Sequence, residues 1–414
     1  MSKLLLAATS LDVTPPPGHR LDGYAARTAT ATGAADPLRA TLIWLSTADD
    51  PGVLWLSLDA IAVGRGLVAE LSAAAASAAG IPARRVVVSA SHTHSGPSGW
   101  TGEIHPVIPA EREPALYEPL VAAVANASLP RRPVTASWRS VEVIGVGANR
   151  HRKNGPHDNT AGVLALHSLE GSLEALLLDF ACHPTTYGPE NLRWSADWPG
   201  AARAALAPAV VGYLQGAAGD VSPRFTRRGR GAEEVARLGG LLAARVREAL
   251  AGPGLELPQS APAIRRTTID LPVRRVPPAE EAAVTVAAAE SAVRGGADHP
   301  SMRIAQTRLD GARGQVLMAT ASLPESLELP ISVVTLGEVC WVNLPVELFA
   351  LHGACLQADS THPITRVVGY TDGYYGYIVD PSAAESGAYE ALITFFDQPT
   401  TNYLLTETAA FINA

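Results

Sequence analysis

The residues best suited to chemistry sit in five short polar segments spread along the chain. They are Ser91-His92-Thr93-His94-Ser95-Gly96-Pro97, Ala181-Cys182-His183-Pro184, the glycine-rich stretch from Gln215 to Pro223, Pro345-Val346-Glu347, and a tyrosine-dense stretch. The last holds Tyr370, Tyr374, Tyr375 and Tyr377, with Tyr389 further on. His92 and His94 lie two apart, so on extended backbone both rings point to one side, where one or both can reach a metal ion. His183 and Glu347 would complete a set of nitrogen and oxygen ligands that leaves one position for water. Such a set suits a single zinc ion, which lowers the pKa of its water to ~7 and polarises the carbonyl under attack. Taken singly these signals have a second reading. Histidines at loop starts also hydrogen-bond backbone, and Glu347 beside Pro345 also reads as a solvated loop carboxylate. Residue type and spacing lead as far as a metallohydrolase and stop short of its substrate.

What must position these residues is an alternation of β-branched runs and alanine-rich helical stretches, which predicts an α/β fold: a mixed β-sheet core flanked by helices. Val53 to Leu58 reads as a buried strand, about Gly66 to Ala79 as a helix closed by Gly80 with Pro82 beyond, and Arg85 to Ser89 as a second strand. This is a parallel crossover. Val163 to Leu166 and Leu173 to Phe180 read as a hairpin through Glu170-Gly171, and Ile331 to Leu336 and Val339 to Leu344 as another through Gly337-Glu338. Ala232 to Ala251 has helical periodicity and ends at Gly252-Pro253. The Ala- and Glu-rich stretch around 277–312 reads as one or two surface helices inserted between strands. With no repeat and no linker, residues 1–414 are expected to form one catalytic domain. Each polar segment follows a predicted strand, where a rigid sheet aims loop residues at one crevice.

Composition narrows the class. Of 414 residues, 47% are apolar and 17% charged, which suits a globular enzyme with a sizeable core and not a disordered chain. A net charge of −8 without a basic run recommends neither nucleic acid nor an anionic membrane as partner. No apolar run reaches the ~18 residues that cross a bilayer, and Leu4 to Ala8 is too short for a signal peptide. Cys182, Cys340 and Cys355 lack the spacing of a zinc knuckle or redox pair, so a reduced, cytoplasmic protein is expected. The sequence allows self-association into a homo-oligomer without specifying it.

The same segments resemble the neutral/alkaline non-lysosomal ceramidase family along most of the chain. Leu11-Asp12-Val13-Thr14-Pro15-Pro16 with Gly23-Tyr24 is similar to the family's opening, and Ser91 to Pro97 is its most specific motif. Asn149-Arg150, Cys182-His183-Pro184, Ser195-Ala196-Asp197-Trp198-Pro199-Gly200 and Gly219-Asp220-Val221-Ser222-Pro223 follow in family order. The resemblance implies that His92, His183, Glu347 and Tyr377 bind one Zn2+. It assigns His94, Arg150 and Tyr389 to the scissile carbonyl and its developing oxyanion. Ser222 matches a serine proposed as the family's nucleophile, a role that zinc-activated water makes unnecessary; a loop-shaping or substrate-orienting role is expected for it. The reaction implied is hydrolysis of an N-acyl amide, on a small-molecule or lipid-like substrate.

Two departures bear on substrate. The chain is expected to lack the family's C-terminal immunoglobulin-like domain, and an arginine cluster, Arg224, Arg227, Arg228 and Arg230, follows Pro223. That cluster reads either as a solvated loop or as a reader of an acidic substrate group. Three other functional readings stand beside hydrolysis: amide or lactam formation on a small metabolite, a non-catalytic metal- or ligand-binding protein, and an amidohydrolase barrel. The barrel also uses an HxH strand motif, but on a first strand near the N-terminus. Cys182 is expected to be a buried structural thiol, Trp194 and Trp198 core residues, and Asp197 a residue that orients a ligand histidine.

Overall fold

The computed structural model describes residues 3–100, 112–295 and 299–414. Its main sheet has the strand order β8-β7-β6-β5-β1-β2-β3-β4. These strands are β1 (Leu5–Asp12), β2 (Arg39–Ser46), β3 (Val53–Leu58), β4 (Val86–Ala90), β5 (Arg132–Glu142), β6 (Thr160–Ser168), β7 (Leu173–Phe180) and β8 (Val210–Gln215). A smaller sheet runs β9 (Ala263–Pro272), β10 (Ser326–Leu336), β11 (Val339–Asn343) and β12 (Ile364–Val368). Both sheets mix parallel and antiparallel pairs, as the α/β reading expected, and that mixture excludes the all-parallel amidohydrolase barrel.

Three parallel pairs organise the molecule, each joined through a helix: β3 to β4 by α1 (Arg65–Ala79), β7 to β8 by α2 (Asp197–Ala205), and β11 to β12 by α3 (Ala350–Asp359). Strands covered on both faces read as continuous apolar runs. Every residue of β3, β4 and β11 is accordingly buried. The first helix is closed by Gly80 at φ 68°, whose N–H reaches back to the carbonyls of Ala76 and Ser77. Arg85 belongs to a short 3₁₀ turn, so β4 starts one residue later than the sequence suggested. The hairpins β6–β7 and β10–β11 form in the expected places, turning at Gly171 (φ 89°) and Gly337 (φ 58°).

The two sheets pack face to face over Trp55, Trp138, Leu164, Leu177, Val334 and Trp341. The Trp341 ring stands edge-on to Trp55 and Trp138, with centroids at 6.0 and 5.5 Å. At their carboxyl ends the parallel strands converge. Bridges join Ser89 to Thr371 and Gly216 to Val368, and the Ala90 N–H donates to the Tyr370 carbonyl at 3.0 Å. Loops from both sheets therefore empty into one region.

The inserted segment is a pair of helices, α4 (Ala279–Gly295) and α5 (His299–Thr320), and extends further than expected. It is also more than a surface addition, because α5 packs on the short helix α6 (Tyr389–Ile393). Cys182 and Cys340 are buried and Cys355 exposed, all free thiols. Trp194 and Trp198 are fully buried. Among the described residues no helix is long and apolar enough to cross a membrane.

Candidate active site

Beyond β4 the chain turns sharply. His92 adopts left-handed backbone at φ 65°, a conformation disfavoured for a residue with a Cβ and concentrated at functional sites. The extended geometry expected for the HxH pair is thus not what brings the rings together. The turn does so instead, placing the His94 Nε2 3.4 Å from the His92 Nε2. His183 arrives from the end of β7, held by its backbone N–H to the Val221 carbonyl at 2.9 Å. Glu347 arrives beyond β11, in a two-residue parallel pairing with Tyr377.

The three imidazoles share one arrangement. Each Nδ1–H donates to a backbone carbonyl: His92 to Ile61 at 2.6 Å, His183 to Ala218 at 2.7 Å, His94 to Gly23 at 2.8 Å. A carbonyl can only accept, so each neutral ring carries its proton on Nδ1 and presents an unprotonated Nε2, that of His183 accepting from the Arg150 Nη1 at 3.3 Å. Asp197, expected to orient a ligand histidine, touches none of these rings. Its carboxylate accepts the N–H groups of Thr186 and Tyr187 at 3.0 and 3.1 Å and shapes that loop. Backbone carbonyls perform the orienting role, which residue identity cannot reveal.

Glu347 completes the cluster. Its Oε2 lies 3.2 Å from the Nε2 of His92 and 3.2 Å from that of His183. Its Oε1 accepts from the Tyr374 hydroxyl, and Tyr370 donates to Oε2 at 3.4 Å. Burial pushes the Glu347 carboxyl up, but His92 and His183 outweigh it and hold it well below the usual range. Burial, with Arg150 and His92 adding, brings the His183 pKa down to about 4. Burial, then the neighbouring His92 and His183, push His94 well below its ordinary value. Unprotonated imidazole nitrogens crowding one carboxylate are the donor set of a cation site. Tetrahedral zinc with bonds of ~2.0–2.1 Å sets its donor atoms about 3.3–3.4 Å apart. The two observed 3.2 Å edges, from the Glu347 Oε2 to the Nε2 atoms of His92 and His183, fit that figure, and the three histidine donor atoms lie within 4.8 Å of one another.

The other expected residues fall into two groups. Tyr377 and Tyr389 stand together, ring centroids 6.1 Å apart, and line the same cavity of about 310 Å³ as His92, His94, Tyr374 and Glu347. Arg150 lies behind it, its Nη1 3.3 Å from the His183 Nε2 and its Nη2 donating to the Tyr377 hydroxyl at 3.4 Å. The Arg150 guanidinium is anchored by Glu390, which accepts from Nε at 2.8 Å. Ser222 does not line the cavity; its Oγ caps a short turn by accepting from the Arg224 N–H at 3.3 Å, which suits the loop-shaping role. The arginine cluster serves loops as well. Arg227 donates to the Thr185 carbonyl at 3.0 Å, and Arg230 pairs with Glu190 at 3.4 Å. Cys182 is walled off by burial, which raises its thiol pKa well above normal.

Sequence reasoning did not assign Glu390 or Arg27 to the site, nor see that the inserted helix α5 reaches it. Arg27 is buried and donates to the carbonyls of Asp22 and His94, both at 2.8 Å, tying the Gly23 loop to the HxH turn. Tyr370 and Tyr374 were visible only as part of a tyrosine-rich loop.

No family model matches the chain, and no curated protein sequence matches it. Solved structures do. The neutral ceramidase from Pseudomonas aeruginosa is similar at TM-score 0.74 and 17% identity, over 99% of this chain and 74% of that one. A ceramidase complexed with C2 is similar at TM-score 0.78 and 15% identity, with the same coverage of 99% and 74%. Across 99% of its length, therefore, this chain has the α/β fold of the neutral ceramidase structures, the family its motifs resemble.

Proposed function

We propose that the chain is a zinc-dependent amidase that hydrolyses an N-acyl amide. The observation that carries this reading is the convergence of the His92 and His183 Nε2 atoms on one Glu347 oxygen at tetrahedral-edge distances beside a cavity. The shared fold supports the reaction class, since ceramide is itself an N-acyl amide, although a fold alone never fixes an activity. His92, His183 and Glu347 would hold the ion, with the Tyr377 phenol as a fourth ligand. When bound, zinc supplies Lewis acidity and a water acidified to about pKa 7.

The remaining residues handle the substrate. Leu21, Ile61, Leu317 and Ile393 give the cavity an apolar wall that receives the acyl portion and excludes water. Burial keeps the Tyr389 phenol protonated, so it donates to the carbonyl oxygen as charge develops there. Arg150, fixed in its charged form by Glu390, adds a cation behind it; preorganised donors of this kind contribute ~3–4 kcal/mol each. His94 takes a role different from the one its motif implies. With Nδ1–H committed to Gly23, its Nε2 begins as an acceptor and has no proton to donate until it takes one from water. It instead takes the proton of the attacking water and returns it to the leaving amine as the C–N bond breaks.

The test is amine release from N-acyl amides graded from acetyl to long-chain acyl, with and without a chelator, alongside metal content. His183→Ala and Glu347→Ala should lose metal and activity together. His94→Ala should keep metal and lose ~10²–10⁴ in kcat. Full activity in a metal-free variant would end the proposal, and metal loss in His94→Ala would make His94 a ligand.

A further inference from the structure

Helix α5 lies against the cavity because Gly311 has no side chain. A Cβ built there would stand 3.1 Å from the Tyr389 Cα, 3.2 Å from its Cδ2 and 3.1 Å from the Leu392 Cδ1. This close approach carries the adjacent Asp310 to the cavity wall, and Leu317, about two turns along, forms part of the same wall. The site therefore receives one carboxylate from an element foreign to the sheets that build the rest of it.

Among the described residues, no cation is in ion-pair contact with that carboxylate. Its Oδ1 accepts from the Gln306 Nε2 at 3.0 Å. Arg313, the arginine that acts on it electrostatically, donates to Glu290 at 3.3 Å. Arg20 also lines the cavity but makes no ion pair with it. Half-buried carboxylates are costly to desolvate unless a cation or several donors meet them. Burial indeed raises the Asp310 pKa, with Gln306 and Arg313 acting against it. The other cavity carboxylates are spoken for: Glu347 faces the histidines, and the Asp22 Oδ1 accepts the Gly23 N–H at 2.9 Å.

We propose that Asp310 determines specificity by pairing with a cationic nitrogen of the substrate, so that the preferred substrates are N-acyl amides bearing an ammonium or guanidinium group. The assignment of amides rests on the amidase reading above; the recognition of a cation by Asp310 does not. Leu317, two turns further along the same wall, packs on the carbon chain leading to the charged group, and Gly311 sets the depth at which the pair meet.

Three matched amides separate these ideas: one ending in an ammonium, one in a methyl group and one in a carboxylate. Wild-type protein should favour the ammonium amide over the methyl amide by about 10- to 100-fold in kcat/KM, the range of one charge-assisted hydrogen bond. D310N should bring that ratio close to one, and D310K should turn the preference toward the carboxylate amide. A second arm needs no turnover: thermal stabilisation by hexylammonium against hexanol, with the same three proteins. Should no amide be cleaved, the amidase reading fails and this arm alone decides Asp310. A wild type without preference for ammonium in either arm, or a D310N protein that keeps the preference, overturns the proposal.

Discussion

Replacing Glu390 with Gln tests the buried charges behind the candidate site. Glu390 is 2% exposed and Arg150 17%, and the carboxylate also faces the His151 Nε2 at 3.3 Å. Burial pushes the Glu390 carboxyl up, but Arg150 and then His151 outweigh it and bring it from the ordinary 4.5 down to about 2. A folded-state pKa below the unfolded one means that the fold favours the ionised form. The resulting stability is fully present above 4.5 and drains away as pH falls through about 2. At ~1.4 kcal/mol per pH unit, the interval from 4.5 to about 2 is worth on the order of 3 kcal/mol. Glu390→Gln removes this term and leaves a buried guanidinium unpaired, which costs about 3–5 kcal/mol at neutral pH. Urea unfolding of both proteins from neutral pH into the acid range reads the two effects. The variant should start lower and lose less of its stability with acid. Adding Arg150→Met to Glu390→Gln should recover part of the loss, because the stranded charge is gone. An acid limb in Glu390→Gln parallel to wild type would refute the reasoning.

Two further substitutions probe how the ligands are held. Tyr374→Phe removes the hydroxyl that occupies the Glu347 Oε1 and leaves Oε2 turned to the histidines. It should weaken metal binding ~10- to 100-fold in competition with a chelator, and unchanged affinity would count against an orienting role. Gly23→Ala forces a side chain onto backbone at φ +100° and sets its Cβ 2.6 Å from the His94 Cβ. Displacing that ring should cost ~10²-fold or more in kcat/KM while the protein still folds. A Gly23→Ala protein with wild-type kinetics would show that His94 is not held through this loop.

Much of the framework was legible because it depends on local pattern. Helix Ala232–Ala251 and strands Val53–Leu58 and Leu173–Phe180 lie where periodicity, glycine and proline set them. Five polar segments after predicted strands pointed to one crevice, and loops from both sheets do empty there. Misreadings share a cause. His92 and His94 meet through a left-handed turn, which period-2 reasoning cannot see. The span 277–312 looked like a surface insertion, since its alanines and glutamates say nothing of what α5 packs against. Asp197 was chosen as a histidine partner by proximity in a motif, whereas the true partners are carbonyls of Ile61, Ala218 and Gly23.

By itself the sequence determined the α/β class, the strands and helices, and the chemical types collected for the site, because side-chain periodicity and ligand chemistry are written residue by residue. Tertiary structure alone decided which lone pairs are free, which carboxylate each tyrosine or arginine holds, and that Asp310 enters the cavity. Those outcomes depend on groups far apart in sequence, such as Arg150 and Glu390, and on backbone carbonyls that every residue carries alike.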